Sequence, residues 1–182
     1  MSDSNEKDSV KPDHDQMDKD FINRLRHELY ARDPRIFDLK NALGQRIDDD
    51  IKAYISFKAI AGNTVTRFKE DVCFFISTLF YNSEYVKDEE TPQNPVLYDE
   101  LLGRLYEDST SSTRRSISSM LSRNYDDSGA FTSIFIRLFR RAIKYRSSNE
   151  TINYARLLHD LKFWDADLTV KKTWANRIVC RG

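Results

Sequence analysis

The sequence predicts an all-α protein of about nine helices in two packed helical bundles. Apolar residues recur at intervals of three and four along most of the chain, whereas no segment shows the alternation typical of a half-buried strand. Only five glycines and four prolines occur among 182 residues, which argues against a turn-rich β architecture. The apolar content of 40% is enough for a chain of this length to bury a core.

Composition divides the chain into three segments. Residues 1–18 are polar and acidic with few apolar side chains, so we expect a disordered arm. Residues 19–95 form the predicted N-terminal helical bundle, and residues 96–182 form the predicted C-terminal basic helical bundle. Acidic residues and two prolines in the segment 82–95 predict a long loop at the boundary between them.

Helix-start signals precede the apolar stripes of the N-terminal segment. The dipeptide Asp33-Pro34 is an N-cap followed by a proline at the first helical position. The aspartates at 48–50 place negative charge at the start of the next helix. Residues 66–81 are apolar on almost every side, which predicts a buried helix at the centre of this bundle.

Helical stripes continue through the C-terminal segment. The Ser/Thr run 109–113 supplies several possible N-caps. Trp164 and Trp174 are predicted to pack in the core of this bundle. The apolar stripes of successive helices are predicted around Leu101, Ile117, Phe135, Leu158 and Trp174.

Residues 131–144 predict a helix with two different faces. One stripe is apolar and includes Phe131, Phe135 and Leu138. At about 100° per residue, a second and roughly opposite stripe is cationic. Its members are Arg137, Arg140, Arg141 and Lys144. We therefore expect one face to pack in a core and the other to meet an anionic partner.

The net charge of zero conceals an asymmetry along the chain. Residues 1–20 carry a net charge of −4, residues 21–103 carry −3, and residues 104–182 carry +7. The basic C-terminal segment is compatible with a solvated helical surface and with a surface that binds a polyanion.

No sequence motif indicates an enzyme. The chain lacks a glycine-rich phosphate loop, a nucleophile elbow and an H-E-x-x-H element. The three histidines are too scattered to predict a metal site, and no cofactor is expected. The two cysteines, far apart in sequence, fit a cytoplasmic protein with reduced thiols, and no segment is apolar enough to cross a membrane.

Nucleic acid is the polyanion that the basic segment fits best. Arginines and lysines with hydroxyl donors between them are typical of phosphate contacts. One such face contains Arg115, Ser119, Ser122 and Arg123, and the cationic stripe of residues 131–144 is a second. Neither resembles a base-reading helix, so contact with the nucleic-acid backbone is expected.

Two other hypotheses remain open. A helical adaptor could dock its basic face on an acidic protein partner, and salt dependence without base preference would distinguish polyanion binding from this case. A small DNA-binding regulator would need a base-reading helix, which the sequence does not show.

Three sequence elements, in order, resemble the CasB family, the small subunit of the type I-E CRISPR effector complex Cascade. The first is Leu102-Gly103-Arg104-Leu105, and the second is Ser112-Thr113-Arg114-Arg115 leading to Leu121. The third lies in residues 152–179 and comprises Tyr154, Leu157, Leu158, Asp160-Leu161, Trp164, Trp174-Ala175 and Arg177. The resemblance is looser in the N-terminal half, and it excludes the acidic arm.

This resemblance implies a non-catalytic subunit that braces guide RNA, target DNA and the displaced strand, and so stabilises the R-loop. The implied partners are the backbone and large subunits of Cascade and a second copy of this chain, in the cytoplasm and without a membrane. The matching motifs make Arg104, Arg114 and Arg115 candidate backbone contacts. The helical stripes add Arg123, Arg137, Arg140, Arg141 and Lys144.

Overall fold

The computed structural model describes residues 14–65, 69–84, 94–125, 129–166 and 168–180, and within these ranges the protein has nine α-helices. Four helices lie in the first half of the chain: α1 (His14–Tyr30), α2 (Ile36–Asn41), α3 (Ile51–Ala61) and α4 (Glu70–Ser83). Five follow: α5 (Tyr98–Glu107), α6 (Ser111–Ser122), α7 (Ala130–Ala142), α8 (Tyr154–Lys162) and α9 (Leu168–Val179). The predicted all-α fold class is confirmed.

The local signals in the sequence set several helix ends. The Asp50 side chain accepts hydrogen bonds from the backbone N–H groups of Lys52 and Ala53, each at 3.0 Å, and so caps α3. The Asp33 carboxylate accepts the N–H of Arg35 at 2.8 Å just before α2 begins. Asp50 therefore caps α3 as the sequence predicts. The predicted N-cap at Asp33 is wrong by two residues, because α2 begins at Ile36 and Arg35 occupies its N-cap position.

Helix α4 lies at the centre of the fold, as its apolar sequence predicts. Eleven of its residues are buried, from Val72 to Ser83. It packs against α1, α2 and α3, and also against α8 from the other half of the chain. The ring of Phe75 lies 5.6 Å from that of Phe135 in α7. Of the predicted helical segment 66–81, residues 66–68 lie outside the described residues.

One cluster of buried residues runs through both halves of the chain. Helix α1 packs on α8, and α5 packs on α7 and α9. The segments 19–95 and 96–182 therefore share a core across their boundary, and their separation into two bundles remains a prediction.

Two short strands are an element that the sequence did not predict. Strands β1 (Asn94–Val96) and β2 (Glu150–Ile152) pair in parallel, with Pro95 opposite Thr151. A three-residue strand is too short to show an alternating pattern, and β1 contains a proline, so neither strand could be predicted from periodicity. The predicted loop 82–95 is correspondingly shorter, since its first two residues belong to α4 and its last two to β1, while residues 85–93 lie outside the described residues.

The predicted disordered arm extends too far at its C-terminal end. Residues 14–18 are the first residues of α1, and Asp18 is buried, where it forms an ion pair with Lys162 of α8. Because this partner is 144 residues away in sequence, local composition gave no sign of it. Residues 1–13 of the predicted arm lie outside the described residues.

Candidate nucleic-acid interface

Helices α6 and α7 pack side by side through polar as well as apolar contacts. The Arg137 guanidinium donates to Ser116 Oγ at 3.3 Å, and that of Arg141 donates to Thr113 Oγ1 at 2.7 Å. Because the later residue of α7 contacts the earlier residue of α6, the two helices run antiparallel.

Helix α7 has the two faces that its sequence predicts. Its buried side chains are Phe131, Phe135, Ile136, Leu138, Phe139 and Ala142. Arg137, Arg140 and Arg141 are exposed. The apolar face is anchored by aromatic contacts, among them the rings of Phe131 and Trp164 at 5.3 Å. The core therefore fixes the direction in which the cationic face points.

The two helices and the 3₁₀ turn Ile143–Tyr145 carry cations and no acidic residue. Their cations are Arg114, Arg115, Arg137, Arg140, Arg141 and Lys144. Elsewhere in the described structure many cations are paired with a carboxylate, as in Arg146–Glu84 and Arg177–Asp99. None of these six forms a salt bridge with a described residue.

We define the α6–α7 basic surface by six cations and three hydroxyl groups. The cations are Arg115, Arg123, Arg137, Arg140, Arg141 and Lys144, and the hydroxyl groups are those of Thr113, Ser116 and Ser119. Arg115, Arg140 and Lys144 are exposed, and in the described part of the chain their side chains form no hydrogen bond or ion pair. No described residue therefore neutralises their charges.

Arg123 joins this surface from the end of α6. Its Nε donates to Ser119 Oγ at 3.4 Å. Its backbone carbonyl accepts hydrogen bonds from Trp164 Nε1 at 3.0 Å and from Lys171 Nζ at 2.9 Å. The backbone of Arg123 is therefore held by the turn that follows α8 and by α9.

Trp164 and Trp174 are fully buried with their rings 5.0 Å apart, which confirms their predicted place in the core.

Arg114 is directed away from this surface. Its guanidinium donates to the carbonyl oxygens of Tyr106 at 3.2 Å and Glu107 at 3.4 Å, and it lies 4.8 Å from the centre of the Tyr106 ring. A cation at these carbonyls complements the C-terminal end of α5. Although Arg114 is exposed, its position is explained by contacts within the protein.

Arg104 does not join the other candidate residues. Its two terminal nitrogens donate to the two carboxylate oxygens of Glu150, both at 2.7 Å, and Nη1 also donates to the carbonyl of Tyr145 at 2.9 Å. Its terminal donors thus already face acceptors within the protein, and its predicted contact with a nucleic-acid backbone stays a prediction. The partner lies 46 residues away, and no local pattern in the sequence indicates it.

Sequence reasoning missed the hydroxyl groups that hold the arginines. The sequence places Ser119 on a candidate face, but it does not indicate that Thr113 and Ser116 accept hydrogen bonds from Arg141 and Arg137. The signal was present: Thr113, Ser116 and Ser119 recur every three residues on a helix without acids.

Two features bear on reactive chemistry among the described residues. They contain no group of three or more His, Cys, Asp or Glu side chains that could hold a metal ion. Burial raises the pKa of the Cys73 thiol to about 12, so this thiol stays protonated at neutral pH. None of the described helices is long and apolar enough to span a membrane.

Comparison with known proteins supplies a structural relative. No family model matches the sequence, and no curated protein matches it. Among solved structures, a chain described as "CRISPR RNA-guided surveillance complex" superimposes with a TM-score of 0.66 and 12% sequence identity. The match covers 91% of this chain and 92% of that chain. The protein thus shares its all-α fold with a chain of such a complex over nearly the full length of both.

Proposed function

We propose that this chain is a non-catalytic small subunit of a type I-E CRISPR surveillance complex of the CasB kind. Its α6–α7 basic surface would bind the backbones of guide RNA, target DNA or displaced strand and so stabilise the R-loop. The observation that carries the proposal is that α6, α7 and the following turn contain no acid and that none of their six cations forms an ion pair with another described residue.

The surface has the chemistry of a phosphate-binding site. Arginine and lysine neutralise phosphates, and hydroxyl groups add neutral hydrogen bonds between them. Phe131, Phe135 and Phe139 are buried in the core and offer no stacking platform for bases. Binding should therefore depend on salt and little on base sequence.

The energetic demand of such a role is modest. R-loop formation exchanges a DNA duplex for an RNA–DNA heteroduplex of nearly equal stability, so a few contacts from protein to backbone can shift the balance. Arg115, Arg140 and Lys144 are the cations most available for this purpose, since they have no partner within the described structure. The full-length fold match to a surveillance-complex chain supports the same role.

The proposed partners follow from this role. They are guide RNA, target DNA, the backbone and large subunits of the complex, and a second copy of this chain, all in the cytoplasm. Assembly with them would be tested by co-purification with guide RNA and the other effector subunits.

Charge reversal tests the site. We expect the triple variant Arg137→Glu, Arg140→Glu, Arg141→Glu to fold and assemble but to lose R-loop retention. We also expect the slope of log DNA affinity against log salt concentration to become shallower by about 2–3. Each lost phosphate contact contributes roughly 0.7–0.9 to that slope. The matched control reverses Lys19, Lys40 and Lys172, which are exposed and unpaired in the described structure and lie on other helices.

Two results would contradict the proposal. Unchanged R-loop retention by the α7 variant would remove the basic surface from the role. Loss of one selective acidic protein partner, with DNA affinity intact, would instead establish the helical adaptor.

A further inference from the structure

Three arginines of the α6–α7 basic surface donate to hydroxyl groups on a single helix. Arg141 donates to Thr113 at 2.7 Å, Arg137 to Ser116 at 3.3 Å, and Arg123 to Ser119 at 3.4 Å. The three acceptors are spaced by three residues along α6, and their donors come from α7 and from the end of α6 itself. We call these three acceptors the hydroxyl row.

The spacing of this row suits a phosphate backbone. At a rise of about 1.5 Å per residue, successive hydroxyl groups are offset by about 4.5 Å along the helix. One strand of a stacked nucleic acid carries a phosphate about every 3.4 Å of its helix axis. The arginines held by the row are therefore offset on the scale of neighbouring phosphates.

A neutral acceptor orients an arginine without cancelling its charge. The carboxylate of Glu150 both orients Arg104 and neutralises its charge, and the carboxylate of Glu84 has the same two effects on Arg146. A hydroxyl oxygen supplies direction alone, and each guanidinium keeps further N–H donors for a ligand. The Ser116 hydroxyl is itself oriented, because it donates to the carbonyl of Ser112 at 3.1 Å.

We propose that Thr113, Ser116 and Ser119 are positioning residues, which pre-orient Arg141, Arg137 and Arg123 to contact consecutive phosphates of one nucleic-acid strand. This positioning role rests on the proposed nucleic-acid role, and it explains how the cations of the site are oriented before a strand binds. Pre-orientation lowers the entropy lost when long side chains are immobilised on binding.

The test removes the acceptors and keeps every charge. The variant Thr113→Val, Ser116→Ala, Ser119→Ala is titrated with a fluorescent single-stranded oligothymidine at several salt concentrations. We expect affinity to fall about tenfold, which corresponds to the immobilisation cost of one or two side chains. The salt dependence should stay unchanged, because the number of cations is the same.

Two controls separate positioning from general effects. Ser118→Ala is matched in chemistry and helix, because the Ser118 side chain is exposed and makes no hydrogen bond in the described structure. The affinity of this variant should equal that of the wild type. The variant Thr113→Ser, Ser116→Thr, Ser119→Thr retains all three hydroxyl groups and should restore most of the affinity. If Thr113→Val impairs folding, the pair Ser116→Ala, Ser119→Ala at less buried positions replaces it.

The experiments test the positioning role of the hydroxyl row and the nucleic-acid role of the protein separately. Wild-type affinity in the hydroxyl-free variant, together with weak binding by the charge-reversed α7 variant, would overturn the positioning role and leave the proposed function standing. Absence of oligonucleotide binding by the wild-type chain, or wild-type affinity in the charge-reversed variant, would overturn both.

Discussion

Arg104 and Glu150 form a two-point ion pair, with both N···O distances at 2.7 Å, between helix α5 and strand β2. Planar guanidinium and carboxylate groups match in this geometry. The Glu150 carboxylate also accepts the backbone N–H of Ser147 at 2.9 Å. The pair thus ties the turn between α7 and β2 to the C-terminal half of α5.

Arg104→Ala should destabilise the protein without a specific loss of nucleic-acid binding. The change leaves a partly buried Glu150 carboxylate without its main partner, and we expect a loss of about 1–3 kcal/mol in the free energy of unfolding. Arg140→Ala is the control, because this exposed side chain has no partner in the described structure; its stability should lie within about 0.5 kcal/mol of wild type. Urea unfolding measures both. A stable Arg104→Ala variant with weakened oligonucleotide binding would instead support Arg104 as a backbone contact.

The same ion pair should contribute to acid sensitivity. Hydrogen bonds from Arg104 lower the pKa of Glu150 from 4.5 to about 2. Because the pKa is lower in the folded state than in the unfolded state, the stabilisation is complete above about pH 4.5 and is lost as the pH falls toward about 2. The stability difference between wild type and Glu150→Gln should therefore shrink across this window. Unfolding curves at pH 6 and pH 3 measure it, and an unchanged difference would show that the pair is not pH-linked.

Two N-terminal deletions, of residues 1–13 and of residues 1–18, should differ in their effect on stability. Deletion of residues 1–13 should leave the unfolding temperature unchanged, since the sequence predicts disorder there. Deletion of residues 1–18 should destabilise by about 2 kcal/mol, because it also removes the buried Asp18 carboxylate and leaves Lys162 of α8 without its partner. Asp18→Ala in the full chain should reproduce most of that loss. Equal unfolding temperatures for the two deletions would mean that the Asp18–Lys162 pair contributes little.

Much of the candidate surface was predictable because helical periodicity is a local property. The sequence alone divides residues 131–144 into an apolar and a cationic face, and the structure buries Phe131, Phe135 and Leu138 accordingly. The stripe from Arg115 to Arg123 on α6 follows from the same rule. Each of these predictions needed only the spacing of residues within one helix.

The partners of individual cations were not predictable in this way. Arg104 and Arg115 both belong to motifs that suggested nucleic-acid contacts, yet Arg104 is held by Glu150 and Arg115 is exposed without a partner in the described structure. The difference depends on which carboxylate the fold brings within reach, and that carboxylate lies far away in sequence.

The sequence by itself determined the all-α class, the amphipathic helices, the buried centre at α4 and the basic character of the C-terminal segment. These follow from hydrophobic periodicity, capping residues and charge, all of which act within a few residues. Only the tertiary structure decided that α1 packs on α8 through Asp18 and Lys162, that β1 pairs with β2, and that the hydroxyl groups of α6 hold arginines from α7. Such contacts join residues that are distant along the chain, and burial in one shared core determines which of them meet.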